Sequence, residues 1–143
     1  MRRTATNLKY GRGCAYDIQY HIIFVTKYRR NILTKQIRQE CINLMHNLSA
    51  DSDYSIIEAN GEEDHIHLLI EATPLTDIPS MIKQLKGVTA RLLFKDHPEI
   101  KKQLWGGHLW SPSYFIVTAS ERTSEQIEEY IRKQGQKQKK EKK

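Results

Sequence analysis

The sequence predicts an α+β fold: a four-stranded antiparallel sheet with two helices on one face, in the order βαββαβ, followed by one further helix. Three observations predict it. Runs rich in Ile, Val, Tyr, Phe and Thr near residues 16–27, 54–60, 65–72 and 113–119 have the length and composition of strands. In two stretches between them, 34–50 and 78–96, apolar residues recur every three to four positions, as in helices packed on one side. The second and third strands are separated only by Gly61-Glu62-Glu63-Asp64, a hairpin-length loop, so they pair antiparallel.

Each element has its own signals. Residues 16–27, YDIQYHIIFVTK, form the first strand, and the dense apolar centre His21–Val25 suggests cover on both faces. A basic cluster follows at Lys27, Arg29 and Arg30, with Tyr28 among them. Thr34 is the expected N-cap of the first helix, whose stripe is Ile37, Cys41, Ile42, Leu44, Met45 and Leu48; Asp51-Ser52-Asp53 ends it. After the hairpin, Thr73-Pro74 stops the third strand. Asp77 caps the second helix and Pro79 sits in its first turn. Ile82, Leu85, Val88, Thr89, Leu92 and Leu93 form its buried stripe, leaving Lys83, Lys86, Arg91 and Lys95 for an exposed basic edge. Residues 97–108 read as a loop with local turns, and Pro112 marks the start or edge of the last strand. Thr123 or Ser124 caps a final helix, with Glu125, Glu128 and Glu129 near its positive end and Gly135 as its stop. This order is the ferredoxin-like, or split βαβ, plan.

Composition narrows the class. A chain of 143 residues, 38% hydrophobic and 28% charged, is polar but suited to one globular domain. No apolar run reaches the roughly 18–20 residues of a membrane span. The basic N-terminus has no apolar segment behind it, which points to an intracellular, cytoplasmic protein. Cys14 and Cys41 lack metal-binding spacing and are expected as free thiols. Of the net charge of +6, residues 1–13 carry +4 and residues 135–143 another +4, which leaves −2 for 14–134. The expected organisation is therefore a basic flexible segment 1–13, a single domain 14–134 and a Lys-rich tail 135–143. Such ends attract polyanions, nucleic acid above all, or serve only as solubilising tails.

The chemistry-bearing pattern begins with His65-Ile66-His67. Alternation along a strand points both imidazoles to one face, roughly 6.6–6.8 Å apart at Cα, and rotation about χ1 lets them converge on one ion. Asp64 and Glu71 flank the pair and could serve as a third ligand or as an outer acceptor. In the last helix, Tyr130 and Gln134 lie one turn apart on the face marked by Ile127 and Ile131. An inward Gln needs a partner, either a metal ion or a backbone group; otherwise Tyr130 is a core tyrosine and Gln134 a fraying helix end.

Taken in order, HIIFVTKYRR (21–30), DHIHLL (64–69), QLKGVTAR (84–91), WSPSYFIVT (110–118) and EYIRKQ (129–134) resemble the HUH-type single-tyrosine transposases of the insertion-sequence 200/605 family over nearly the whole chain. One departure is Ala119-Ser120-Glu121, where members often carry Gly, and it bears on the hinge before the last helix. The resemblance implies a transposase that cleaves and rejoins single-stranded DNA. Tyr130 would be the nucleophile, forming a covalent 5′-phosphotyrosine, and His65, His67 and Gln134 would hold Mg²⁺ or Mn²⁺. It also implies recognition of hairpins at element ends, a nucleoid-associated protein and a homodimer in which Tyr130 of one subunit serves the histidine pair of the other. Lys27, Arg29, Arg30, Lys83, Lys86 and Arg91 are candidates for phosphate contacts, and Tyr28, Trp105 and Trp110 for base stacking. No nucleotide-binding loop of the form GxxxxGK[ST] occurs, so no nucleotide cofactor is expected.

Two rival readings use the same residues. One is a noncatalytic single-stranded nucleic-acid-binding module on this sheet, although the aromatic run of such modules is missing. The other is a phosphodiesterase built on His65, His67 and Glu71, which would tolerate loss of Tyr130.

Overall fold

A computed structural model describes residues 9–11, 13–119 and 128–133. Its main sheet has four strands in the order β4-β5-β3-β6, every neighbour antiparallel. The strands are β3 (Ile18–Val25), β4 (Ser55–Glu62), β5 (His65–Ala72) and β6 (Phe115–Thr118). Helices α1 (Lys35–Ala50) and α2 (Ile78–Asp96) cover one face, as the ferredoxin-like plan requires. A small hairpin, β1 (Lys9–Gly11) with β2 (Cys14–Tyr16), precedes the sheet.

The core follows from alternation. Ile22 and Phe24 on β3 and Ile66, Leu68 and Ile70 on β5 point to the helices and are almost wholly buried. They meet Ile37, Cys41, Ile42 and Met45 of α1 and Ile82, Leu85 and Leu93 of α2. Both expected caps are in place: Thr34 Oγ1 accepts from Ile37 N–H, and Asp77 Oδ1 from Ser80 N–H. The expected free thiols are unpaired, with Cys14 exposed and Cys41 buried.

The structure departs from the sequence reading in three places. Lys9–Gly11, within the expected basic flexible segment, forms one strand of a hairpin. Strand β4 continues through Gly61 and Glu62, so the connecting turn shrinks to Glu63-Asp64. The loop after α2 contains a short helix, α3 (Pro98–Lys101), and a 3-10 turn at Trp105–Gly107. No helix among the described residues is long and apolar enough to cross a membrane.

The second sheet face receives the last described helix. Residues 128–133 are helical, and Tyr130 and Ile131 pack there against Ile23 and Val25, with Phe115 beside them. The expected link at Ser120–Thr123, Ile127, Gln134, residues 1–8 and 12 of the N-terminal segment and the Lys-rich tail lie outside the described residues.

Candidate active site

The same alternation that sends Ile66 and Leu68 into the core sends His65 and His67 to the other face. There His65 lies opposite Val25 and His67 opposite Ile23, while Ile23 also faces Phe115 of β6. Tyr130 packs onto this Ile23, Val25 and Phe115 group, its ring 5.0 Å from that of Phe115. The phenol and the histidine pair of one chain therefore share one face, with Ile23 touching the tyrosine's cluster and pairing with His67.

The two imidazoles are held differently. Asp64 Oδ1 lies 2.9 Å from His65 Nδ1. Burial opposes ionisation of Asp64, but hydrogen bonds and charge from His65 and Arg29 outweigh it and hold the carboxyl at about 2. A carboxylate only accepts, so His65 Nδ1 carries the proton, and in the neutral ring Nε2 carries the lone pair. His67 Nε2 lies 2.8 Å from Nδ1 of His21, the next residue inward on β3's face. Burial pushes His67 down to about 4, with His21 and His65 adding to the shift, and burial also lowers His21. Two neutral rings thus share one proton at this contact.

These residues fit a divalent ion. A pair of imidazoles on one face, one of them with its Nδ1 proton committed to a carboxylate, is the donor chemistry of a nitrogen-ligated cation with an outer acceptor. Among the described residues, however, no group of three His, Cys, Asp or Glu side chains is gathered to hold a metal. Asp64 is turned to Arg29 and His65, and Glu71 lies 3.7 Å from Lys9 Nζ. Neither carboxylate joins the histidines as a ligand. The further ligand expected at Gln134 lies outside the described residues.

The Tyr130 hydroxyl lies 3.1 Å from Ser113 Oγ. Burial raises its pKa above the usual phenol value, with the Ser113 hydrogen bond opposing. In this arrangement the phenol is kept protonated and is held by the segment leading into β6.

The basic and aromatic candidates divide. Lys83, Arg91 and Arg30 are exposed, and Lys27 lies over the Tyr28 ring at 5.0 Å. Lys83 and Arg91 sit on α2, across the sheet from the histidines. Arg29 is engaged with Asp64, Nε to Oδ2 at 2.5 Å. Lys86, expected on the exposed edge, turns inward and donates to the Ser111 carbonyl at 2.7 Å, and burial lowers its pKa. Trp110, expected among stacking aromatics, is 5% exposed; it packs on Phe24 and donates its indole N–H to Thr89. Backbone bonds from Lys27 to Leu109 and from Ser111 to Val25 draw this stretch against the end of β3 and bury the ring. The Trp105 side chain is not among those described.

Sequence reasoning did not single out His21 or Ser113. His21 carries the same alternation signal as His65 and His67, but only the β3–β5 register sets it beside them. Ser113 has no pattern that distinguishes it from any other serine in a turn.

The family model described as "Transposase IS200 like" matches residues 14–134. The chain is 41% identical over 130 residues to the ISDra2 transposase TnpA of Deinococcus radiodurans, covering 91% of this chain and 93% of that protein. It is 29% identical over 119 residues to the transposase for insertion sequence element IS200 of Salmonella typhimurium, covering 83% of this chain and 78% of the other. A crystal structure of a protein assigned as a transposase from D. radiodurans R1 superimposes with a TM-score of 0.83 at 38% identity, covering 88% of this chain and 97% of that one.

Proposed function

The chain belongs to the IS200-like transposase family, and from that premise we propose that it cleaves and rejoins single-stranded DNA through Tyr130, at a divalent-cation site made by His65 and His67. Gln134 is the proposed further ligand. When bound, Mg²⁺ or Mn²⁺ would polarise the scissile phosphate and offset the charge that builds on its oxygens. The observation that carries the reading is the shared sheet face: Tyr130 packs on Ile23, and Ile23 pairs with His67.

The chain's own residues supply the rest. Asp64 orients His65 by accepting a hydrogen bond from its Nδ1–H. Ser113 holds the phenol before attack. The Tyr130 oxygen attacks the phosphorus and gives its phenolic proton to water, while the bond to the 3′-oxygen breaks and that oxygen takes a proton from water to leave as a 3′-hydroxyl. The 5′-phosphotyrosine conserves the phosphodiester, so a 3′-hydroxyl can reverse the step without a nucleotide cofactor. Lys27, Tyr28, Arg30, Lys83 and Arg91 remain candidates for holding the strand. The substrate we propose is a hairpin-bearing single strand from an element's end. The working unit we propose is a homodimer in which the helix is exchanged, so that Tyr130 of one subunit takes this same place on the partner's sheet and serves the partner's histidines. Residues 14–134 form the catalytic domain, with basic ends outside it.

The test is a labelled single-stranded element end incubated with the protein and Mn²⁺, resolved on a denaturing gel. A nicked product and a protein–DNA adduct are expected from the parent chain, no adduct from Tyr130→Phe, and neither product from His65→Ala. An adduct that persists in Tyr130→Phe removes the nucleophile assigned here. Binding without cleavage would favour a noncatalytic module.

A further inference from the structure

We infer that Arg29 is a positioning residue for His65, acting through Asp64, and not a contact to the DNA backbone; the inference rests on the cation site proposed above. Three observations carry it. Arg29 Nε meets Asp64 Oδ2 at 2.5 Å, and Asp64 Oδ1 meets His65 Nδ1 at 2.9 Å, so one carboxylate joins the guanidinium to the imidazole. Asp64 is 9% exposed, so its two oxygens have little water to turn to. The turn that delivers Arg29 takes a costly shape, because Tyr28 and Arg29 lie at φ 57° and 53°, consecutive non-glycine residues in the left-handed region.

Backbone bonds fix that turn against the strand pair carrying the histidines. Thr26 N–H donates to the Asp64 carbonyl at 2.9 Å, Arg29 N–H to the Thr26 carbonyl at 2.9 Å, and Thr26 Oγ1 to the Arg30 carbonyl at 2.8 Å. The end of β3, the left-handed turn and the β4–β5 turn therefore form one unit around Asp64. A carboxylate held by a guanidinium cannot rotate away from the imidazole. His65 then keeps Nδ1 protonated and presents Nε2, the form a cation needs. A flexible surface arginine reaching for phosphate would need neither the buried carboxylate nor the left-handed turn.

The test uses the full-length, metal-free chain. Mn²⁺ is titrated in and the free ion followed by electron paramagnetic resonance; ring ¹⁵N shifts of His65 are recorded before any metal is added. The parent should show His65 as one tautomer, protonated at Nδ1. Asp64→Asn and Arg29→Gln should each weaken Mn²⁺ binding on the order of 10-fold and leave His65 as a mixture of tautomers. The double variant should bind no more weakly than Asp64→Asn alone, because both changes break one chain. Arg29→Lys, which keeps a cation beside Asp64, should lie nearer the parent and serves if Arg29→Gln folds poorly. Parent-like Mn²⁺ affinity and tautomer in Arg29→Gln, or losses that multiply in the double variant, overturn the inference. If His65→Ala binds Mn²⁺ as tightly as the parent, the cation site itself is misplaced, and the tautomer readout still decides the role of Arg29.

Discussion

Gly61 lies so close to His65 that a Cβ built on it would stand 2.2 Å from the His65 carbonyl oxygen. Gly61 pairs with Ile66 in the β4–β5 ladder, so this backbone oxygen cannot move without shifting the strand that carries both imidazoles. Glycine is required here for proximity rather than for an unusual backbone angle. Gly61→Ala should lower stability by ~1–3 kcal/mol, the range for overpacking a filled site, and weaken Mn²⁺ binding as well. A thermal melt and a Mn²⁺ titration on the same variant check both; an unchanged melt would mean the strands separate at no cost.

Thr89 on α2 supports the opposite side of the sheet. Its Oγ1 accepts the Trp110 indole N–H at 3.0 Å and donates to the Leu85 carbonyl at 2.7 Å, all three groups buried. Thr89→Val keeps the shape and leaves the indole N–H unpaired. The expected loss is ~1–3 kcal/mol, a fall in Tm of roughly 3–12 °C for a chain of this size. The same change in a Trp110→Phe background should cost clearly less, because no indole remains to be orphaned. Paired melting curves decide it.

Much of the fold and part of the site could be read from the residues. The βαββαβ order follows from periodicity because α1 and α2 each carry one unbroken apolar stripe, and the caps at Thr34 and Asp77 follow from local chemistry alone. His65 and His67 were legible for the same reason: two-residue alternation is a local property. What was not legible depends on register and long-range packing. His21 meets His67 only because Ile23 pairs with His67, which displaces His21 by two residues along the next strand. Lys86 and Trp110 looked available for DNA from their residue types, but residues 109–111 fold back on β3, which buries Trp110 and engages the half-buried Lys86 through the Ser111 carbonyl. Arg29 looked the same as Arg30 in sequence; the left-handed turn sets the Arg29 guanidinium on Asp64.

A pH effect on stability is expected far from the site. His97 at the end of α2 places Nε2 2.8 Å from Glu40 Oε1 on α1, with Nδ1 3.7 Å from Glu99 Oε2. The Glu40 hydrogen bond raises the His97 pKa above 6.5, partial burial opposes, and charge from Glu40, Glu99 and Asp96 adds to the rise. Above pH 6.5 the folded chain then holds a proton that the unfolded chain has released. Stability from this pair is therefore complete below 6.5 and is lost as pH rises through the higher folded value. Both groups are near the surface, so the effect should be small and should shrink in salt. The Tm difference between the parent and His97→Gln should narrow from about pH 6.5 upward, the unfolded value of a histidine. A difference that widens with pH contradicts the assignment.

The arrangement of subunits gives the last expectation. In one chain Tyr130 rests on its own sheet, against Ile23, Val25 and Phe115, and touches Ser113. A homodimer that exchanges this helix recovers the same contacts on the partner's sheet, because the two faces are identical, so exchange costs little beyond chain ordering. The difference can be read from mixed subunits. Take one population with Tyr130→Phe and another with His65→Ala and His67→Ala, each inactive alone, and assemble them together by co-refolding. If the tyrosine serves the partner's histidines, each mixed dimer holds one complete site and one doubly broken site. Random pairing makes half the dimers mixed, and activity should return to roughly one quarter of the parent's per subunit under such symmetric exchange. If the tyrosine serves its own sheet, every site in every dimer lacks one component, and no mixture regains activity. Adduct formation on a denaturing gel reads the outcome directly, and it assigns the adduct to the histidine-altered subunit when the two populations differ in mass.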